Sequence, residues 1–189
     1  MNFRRLYPLH GFPQQRQLWS WISFDVANQS FTLIINTLLF SIFFSKVVVR
    51  NDAIDDRIWA LTYGGSLLLT ALLSPLAGAA ADERALKKRF LIGSGLMCGI
   101  LTCGLGFIQP GQLWLAILLY VPANFAFSIG ENFLASFLPT LARQDQVGRV
   151  SGFSWACAYA AALLLLILTA GAMVLLKLES TDAWRPYFV

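Results

Sequence analysis

Residues 19–46 read WSWISFDVANQSFTLIINTLLFSIFFSK. The run is long enough to cross a bilayer, which takes about 20 apolar residues, yet it holds Asp25 deep inside. A second acidic group, Glu131, lies inside the apolar run 113–138. An ionised carboxylate at the bilayer centre costs roughly 2.5–3.5 kcal/mol on insertion scales. Such groups face a polar cavity or a partner, and they commonly mark a path for solute or protons. The chain therefore reads first as part of a membrane machine that handles a polar solute.

Composition agrees. Only 13% of the 189 residues are charged and 57% are hydrophobic, against about 25% charged in a soluble domain, so the chain is an integral membrane protein with the lipid bilayer as its first partner. The net charge of +4 sits in the segments between apolar runs, where orientation signals belong, and it does not point to nucleic acid. Cys98, Cys103 and Cys157 all lie inside predicted spans; an odd number there argues against a disulfide framework. The lone histidine, His10, precedes the first span, which leaves no metal-ligand spacing and no Ser–His pair. With no phosphate-cradling loop either, neither a cofactor nor enzyme chemistry is expected. The first apolar run is too long for the roughly 7–15-residue core of a signal peptide.

Five spans are expected, over residues 19–46, 58–81, 90–108, 113–138 and 150–177. The turn Gln109-Pro110-Gly111-Gln112 carries two strong breakers and makes the third and fourth spans antiparallel neighbours. No alternating pattern of a β-barrel is present, so the fold class is all-α, a polytopic helical bundle. With the N-terminus in the cytoplasm, Arg4, Arg5, Arg16, Arg84, Lys87, Lys88, Arg89, Arg143 and Arg149 fall inside, and Lys46, Arg50, Arg57, Lys177 and Arg185 fall outside. That bias favours a cytoplasmic segment 1–18 followed by a transmembrane bundle 19–189. Beyond Lys177 the chain runs through Glu179-Ser180-Thr181-Asp182 to Trp184-Arg185-Pro186-Tyr187-Phe188-Val189. This ending reads as the start of a sixth span, with a short natural tail as the alternative, and a fragment of a longer protein is expected.

Counting about 100° per residue from Asp25, Asn28, Gln29, Thr32 and Asn36 fall with it on one face roughly 100° wide. Phe31, Ile34 and Leu38 occupy the opposite side. Lipid would leave the stripe without partners, so it is expected to line a cavity, with interhelical hydrogen bonding as the alternative. On the fourth span Asn124 and Ser128 lie near Glu131, flanked by Asn132, and Pro122 offers a kink. Glu131 reads either as a proton-titrating carboxylate or as a group near the cytoplasmic end that binds a loop arginine.

Between the second and third spans stand Gly78, Asp82, Arg84, Lys87, Lys88 and Arg89. Small residues from Gly78 to Ala81 let a neighbouring helix approach closely. Asp82 can pair with a cation and release it, as a gating latch would; the alternative is an ordinary basic inside loop.

The loop resembles the signature between helices two and three of the major facilitator superfamily: Gly78 and Asp82 match, the basic cluster Lys87-Lys88-Arg89 matches, and Glu83 departs from the usual basic residue. Phe24-Asp25-Val26-Ala27-Asn28-Gln29 resembles the first-span motif of its autophagy-related vacuolar amino-acid effluxer branch, with Phe24, Val26 and Gln29 in place of Tyr, Trp and Ser. Asn132-Phe133-Leu134 with Leu138-Pro139, and Gly148-Arg149-Val150-Ser151-Gly152 with Trp155 and Tyr159, resemble that branch's fourth-span ending and fifth-span opening. Ser154, Ala158 and Ala161 stand where the branch tends to have glycine and keep a close-packing face. Trp155 and Tyr159 share one side of a helix and fit either a substrate bracket or an interfacial role.

The resemblance implies the N-terminal half of a twelve-span secondary transporter, in a bacterial inner membrane, moving a small polar solute such as an amino acid by alternating access. Asp25, Asn28, Gln29, Thr32, Asn36, Asn124 and Ser128 would line the cavity. Glu131 and Asp25 are the ion-coupling candidates, and the Asp82 loop is the latch. A second half, or self-association, would complete the machine. The rival expectation is a non-transporting membrane remnant, scaffold or regulatory partner.

Overall fold

The structure is a computed structural model. It describes residues 12, 14–51, 53–83, 86–175, 184 and 188. His10, Arg84, Lys177 and most of the expected sixth-span start lie outside these residues.

Five helices among the described residues are long and apolar enough to cross a membrane, as the apolar runs require. They are α1 (Gln15–Val49), α2 (Asp55–Glu83), α3 (Lys87–Leu105), α4 (Leu113–Leu141) and α5 (Val147–Leu175). Most begin or end a few residues outside the expected apolar run, whereas α3 starts at Lys87 and stops at Leu105, short of the expected residue 108. No strand occurs among the described residues. Gly111 takes φ +81° in the turn between α3 and α4, a conformation that glycine adopts at no steric cost. At the other connection Lys46 Nζ lies 3.1 Å from Asp55 Oδ2 and ties the end of α1 to the start of α2.

The helices are not equivalent. α1 and α4 bury far more of their length than α2, α3 and α5, so these two form the interior. α4 packs along α3 and α2, α1 packs along α5, and α1 also lies against α4. Phe40, Phe43 and Phe44 in the C-terminal part of α1 are fully buried. Phe40 stacks on Tyr120 at 5.7 Å, and Phe44 meets Trp59 at 5.2 Å. At the same end Phe188 packs on Phe40 and Phe43, at 5.4 and 5.3 Å. At the N-terminal end of α1, Leu18 and Ile22 make a second apolar cluster with Leu134 and Val150. There Trp21 Nε1 donates to the Leu134 carbonyl at 2.7 Å.

α1 is not a uniform α-helix. Residues 31–37 and 44–49 wind in wider turns, in which the amide of Leu38 reaches back five residues to the Leu33 carbonyl at 3.0 Å. Leu38 itself leaves helical geometry, with φ −116° and ψ −83°. Such wide turns are rare and concentrate at functional sites. α4, by contrast, stays helical through Pro122 and Pro139.

α3 and α4 approach closely where a Cβ added at Gly130 would lie 3.1 Å from Ser94 Oγ. Gly130→Leu should therefore overpack this contact and destabilise the bundle by about 1–3 kcal/mol, measured by unfolding in detergent micelles. At Gly99 an added Cβ meets nothing within 4 Å, so Gly99→Leu should stay within about 0.5 kcal/mol of the parent.

Candidate functional site

The polar residues of α1 do not share one partner. Asp25 is 7% exposed and accepts a hydrogen bond from Ser154 Oγ of α5 at 2.5 Å. Three residues on, Asn28 Nδ2 donates to Glu131 Oε1 of α4. Two turns further, Asn36 Nδ2 donates to Asn124 Oδ1 at 3.0 Å, and Asn36 Oδ1 accepts from Tyr120 OH at 2.9 Å. The pairs 28 with 131 and 36 with 124 follow the register of two antiparallel helices, so the stripe straddles the seam between α4 and α5.

A second seam joins α4 to α2. Ser66, Thr70 and Ser74 recur every fourth residue along α2, and Asn124, Ser128 and Asn132 do so along α4. Residues four apart stack on one helix face. Asn124 Nδ2 donates to Ser66 Oγ at 2.7 Å, and Asn132 Nδ2 donates to Ser74 Oγ at 2.9 Å. Two parallel helices thus meet at both ends of a ladder. Between those ends the ladder opens into a cleft of about 600 Å³, lined by Thr70, Ser74, Ser128, Glu131 and Asn132 with Leu67, Ala71, Pro75 and Phe127. Thr70 and Ser128 donate to carbonyls of their own helices, at 2.9 and 2.8 Å, which leaves hydroxyl oxygens available as acceptors. The cleft presents one carboxylate, one primary amide and three hydroxyls on an otherwise apolar wall.

The predicted residues do not gather in one place. Asp25 lines neither the cleft nor the two grooves beside α3; it sits in a helix contact with Ser154 of α5. Asn124 is 1% exposed and joins α1, α2 and α4, so it is interhelical glue and not cavity lining. Asn36 is committed to the same network. Gln29 and Thr32 are half-buried and lie away from the cleft. Asn28, half-buried, also lines a separate groove of about 470 Å³ beside α3, where Cys98 and Cys103 are found. Ser128 and Glu131 do line the cleft. Glu131 meets Asn28 and not a loop arginine. Trp155 and Tyr159 stack edge to face at 6.1 Å on the exposed outer side of α5. Thr70 and Ser74 were missed, although their four-residue spacing was visible in the sequence.

At the loop, Asp82 Oδ1 pairs with Lys87 Nζ at 2.7 Å, both ends exposed. Gly78, Asp82 and Lys87 flank a small pocket with Ser74, Asn132 and Ser136, so the loop abuts the Ser74–Asn132 end of the cleft. Arg84 lies outside the described residues. Cys98, Cys103 and Cys157 form no disulfide, and no cluster of three potential metal ligands occurs among the described residues.

The five long apolar helices and the polar cleft between two of them define a polytopic helical membrane protein. The sequence profile of the family described as vacuole effluxer Atg22 like matches residues 54–187, most of the chain, and the chain belongs to that family. It is 24% identical over 165 residues to an uncharacterized MFS-type transporter, YxiO, of Bacillus subtilis (strain 168), covering 85% of this chain and 38% of that protein. It is 34% identical over 84 residues to autophagy-related protein 22 of Coccidioides immitis (strain RS), covering 44% of this chain and 14% of that one. An uncharacterized protein of Aquifex aeolicus (strain VF5) is 32% identical over 88 residues, 47% of this chain and 22% of its own length. The chain therefore spans well under half the length of these curated relatives. No solved structure matches.

Asn124→Leu should remove two interhelical hydrogen bonds and cost about 1–3 kcal/mol, read as a lower unfolding midpoint in micelles. Asp25→Asn keeps an acceptor for Ser154 and should cost less than Ser154→Ala, which strips the carboxyl of its donor. The reverse order in the same assay would remove Ser154 as the group that holds Asp25.

Proposed function

We propose that this chain forms the N-terminal half-bundle of a secondary transporter that moves a small polar solute, amino acids foremost, by alternating access. The observation that carries the reading is the cleft between α2 and α4. It holds Glu131 beside Thr70, Ser74, Ser128 and Asn132, at the level where α2 and α4 are otherwise apolar. Hydrogen-bond donors and acceptors there offer a solute replacements for its water shell. Glu131 is the ion-coupling group, and Asn28 is the residue that orients it. Asp25 acts through α5 as a positioning residue. Gln29 and Thr32 complete the cavity wall when the helices rearrange.

In this reading the N-terminus is cytoplasmic and the membrane is a bacterial inner membrane, as the distribution of basic residues supports. The Asp82–Lys87 pair is the latch. An exposed pair is worth only about 0–1 kcal/mol, so it can break and re-form within a cycle without trapping one state. A second half, or a second copy, closes the cleft from the far side. Family membership supports the transporter assignment, and the B. subtilis relative bears the words MFS-type transporter in its name.

The test uses the full-length gene product in proteoliposomes under an imposed pH gradient, with a panel of labelled amino acids. The parent should accumulate solute. Glu131→Gln should lower gradient-driven uptake by about tenfold or more while sparing solute exchange, as expected for a proton relay. Unchanged uptake in Glu131→Gln would reject the coupling role, and no uptake of any solute by the parent would favour a scaffold.

A further inference from the structure

A groove of about 470 Å³ runs between α2, α3 and α4, and it shares no lining residue with the Glu131 cleft. Its walls are Ala77, Phe90, Gly93, Met97, Phe125 and Ile129, almost wholly apolar. The floor is closed where Ser94, buried, faces Gly130. Arg89 lines one end. Arg89 and its neighbour Lys88 are exposed. Asp82 is engaged by Lys87, and no described carboxylate pairs with Lys88 or Arg89.

The dimensions decide what fits. From Arg89 to Met97 the helix rises about 12 Å at 1.5 Å per residue, close to the depth of one leaflet of a hydrocarbon core about 30 Å thick. A cation at one end and an apolar trough running inward for a leaflet's depth match a phosphate on an acyl chain. Basic pockets between transmembrane helices on the cytoplasmic side are where anionic headgroups bind. We propose that this groove is a site for one anionic phospholipid, its phosphate at Arg89 and Lys88 and one acyl chain over Gly93. The site rests on the cytoplasmic orientation proposed above but not on the transport reading.

Gly93 provides a probe, since a Cβ added there meets nothing within 4 Å, so a larger side chain enters the groove without a clash at its first atom. The purified full chain in detergent is titrated with dioleoyl phosphatidylglycerol, dioleoyl phosphatidylcholine and glycerol 1-phosphate, with bound adducts counted by native mass spectrometry. One phosphatidylglycerol should bind about fivefold tighter than phosphatidylcholine, the effect of about one basic contact, and glycerol phosphate alone should not bind. Arg89→Gln should bring phosphatidylglycerol down to the phosphatidylcholine level. Gly93→Phe should weaken both lipids at unchanged helicity, and Gly93→Leu serves if the phenylalanine variant aggregates. Equal affinity for the two lipids in the parent, or parent-like binding in both groove variants, would overturn the site. So would a concentration-dependent dimer that Gly93→Phe abolishes without any lipid adduct, which would assign the groove to a second copy.

Discussion

A polar side chain inside hydrocarbon must be met by another protein group or by water, and the arrangement of this bundle follows from that demand. α1 carries Asp25, Asn28 and Asn36, and each is met by a different residue of α4 or α5. A helix with partners on two sides has to sit between them, and α1 does. The magnitudes show which of these groups serve the fold. An interhelical amide contact contributes about 0.6–2 kcal/mol, so Asn36 and Asn124 are accounted for as glue. A carboxylate costs roughly 2.5–3.5 kcal/mol to insert, more than one such contact returns. Glu131, half-buried on an open cleft, has no structural justification of comparable size.

Much of this was legible in the sequence, and the misses have identifiable causes. Five helices followed from apolar run length alone, because the bilayer permits no unpaired backbone. The polar face of α1 was visible as a periodicity. What a single helix could not reveal was how that face would be divided between neighbours: the direction of Asp25 relative to Asn28 is a matter of angle, whereas Ser154 sits 129 residues away. The 100° count also fails beyond Ser30, where the wider turns advance each residue by less. Asn36 therefore lies off the line projected from Asp25. No residue between 31 and 37 announces this, since Phe-Thr-Leu-Ile-Ile-Asn-Thr is ordinary for an α-helix.

The ladder of α2 was missed for another reason. Ser66, Thr70 and Ser74 are small and only weakly polar, and serine or threonine in a membrane helix can satisfy itself on its own backbone, as Thr70 does. Their meaning depends on the opposite ladder, and only the pairing of Asn124 with Ser66 and of Asn132 with Ser74 turns two unremarkable spacings into a cleft with polar ends. Trp155 and Tyr159 illustrate the converse: their shared side was legible, but its outward direction was not.

In the transporter reading proposed above, the choice of partner for Glu131 bears on how a coupling carboxylate has to work. A lysine or arginine beside it would favour the charged form and oppose protonation. A primary amide does not choose. Asn28 can donate N–H to an ionised Glu131, and its oxygen can accept from the same group once protonated. Both forms then keep a hydrogen bond, and a change of charge leaves no orphaned polar atom in the apolar wall. Asp25 has a comparable partner in the Ser154 hydroxyl, but it lies in a closed helix contact where solute and water have no described path. Two carboxylates with neutral partners thus differ in access, and access is what distinguishes a group able to exchange a proton from one that only holds two helices together.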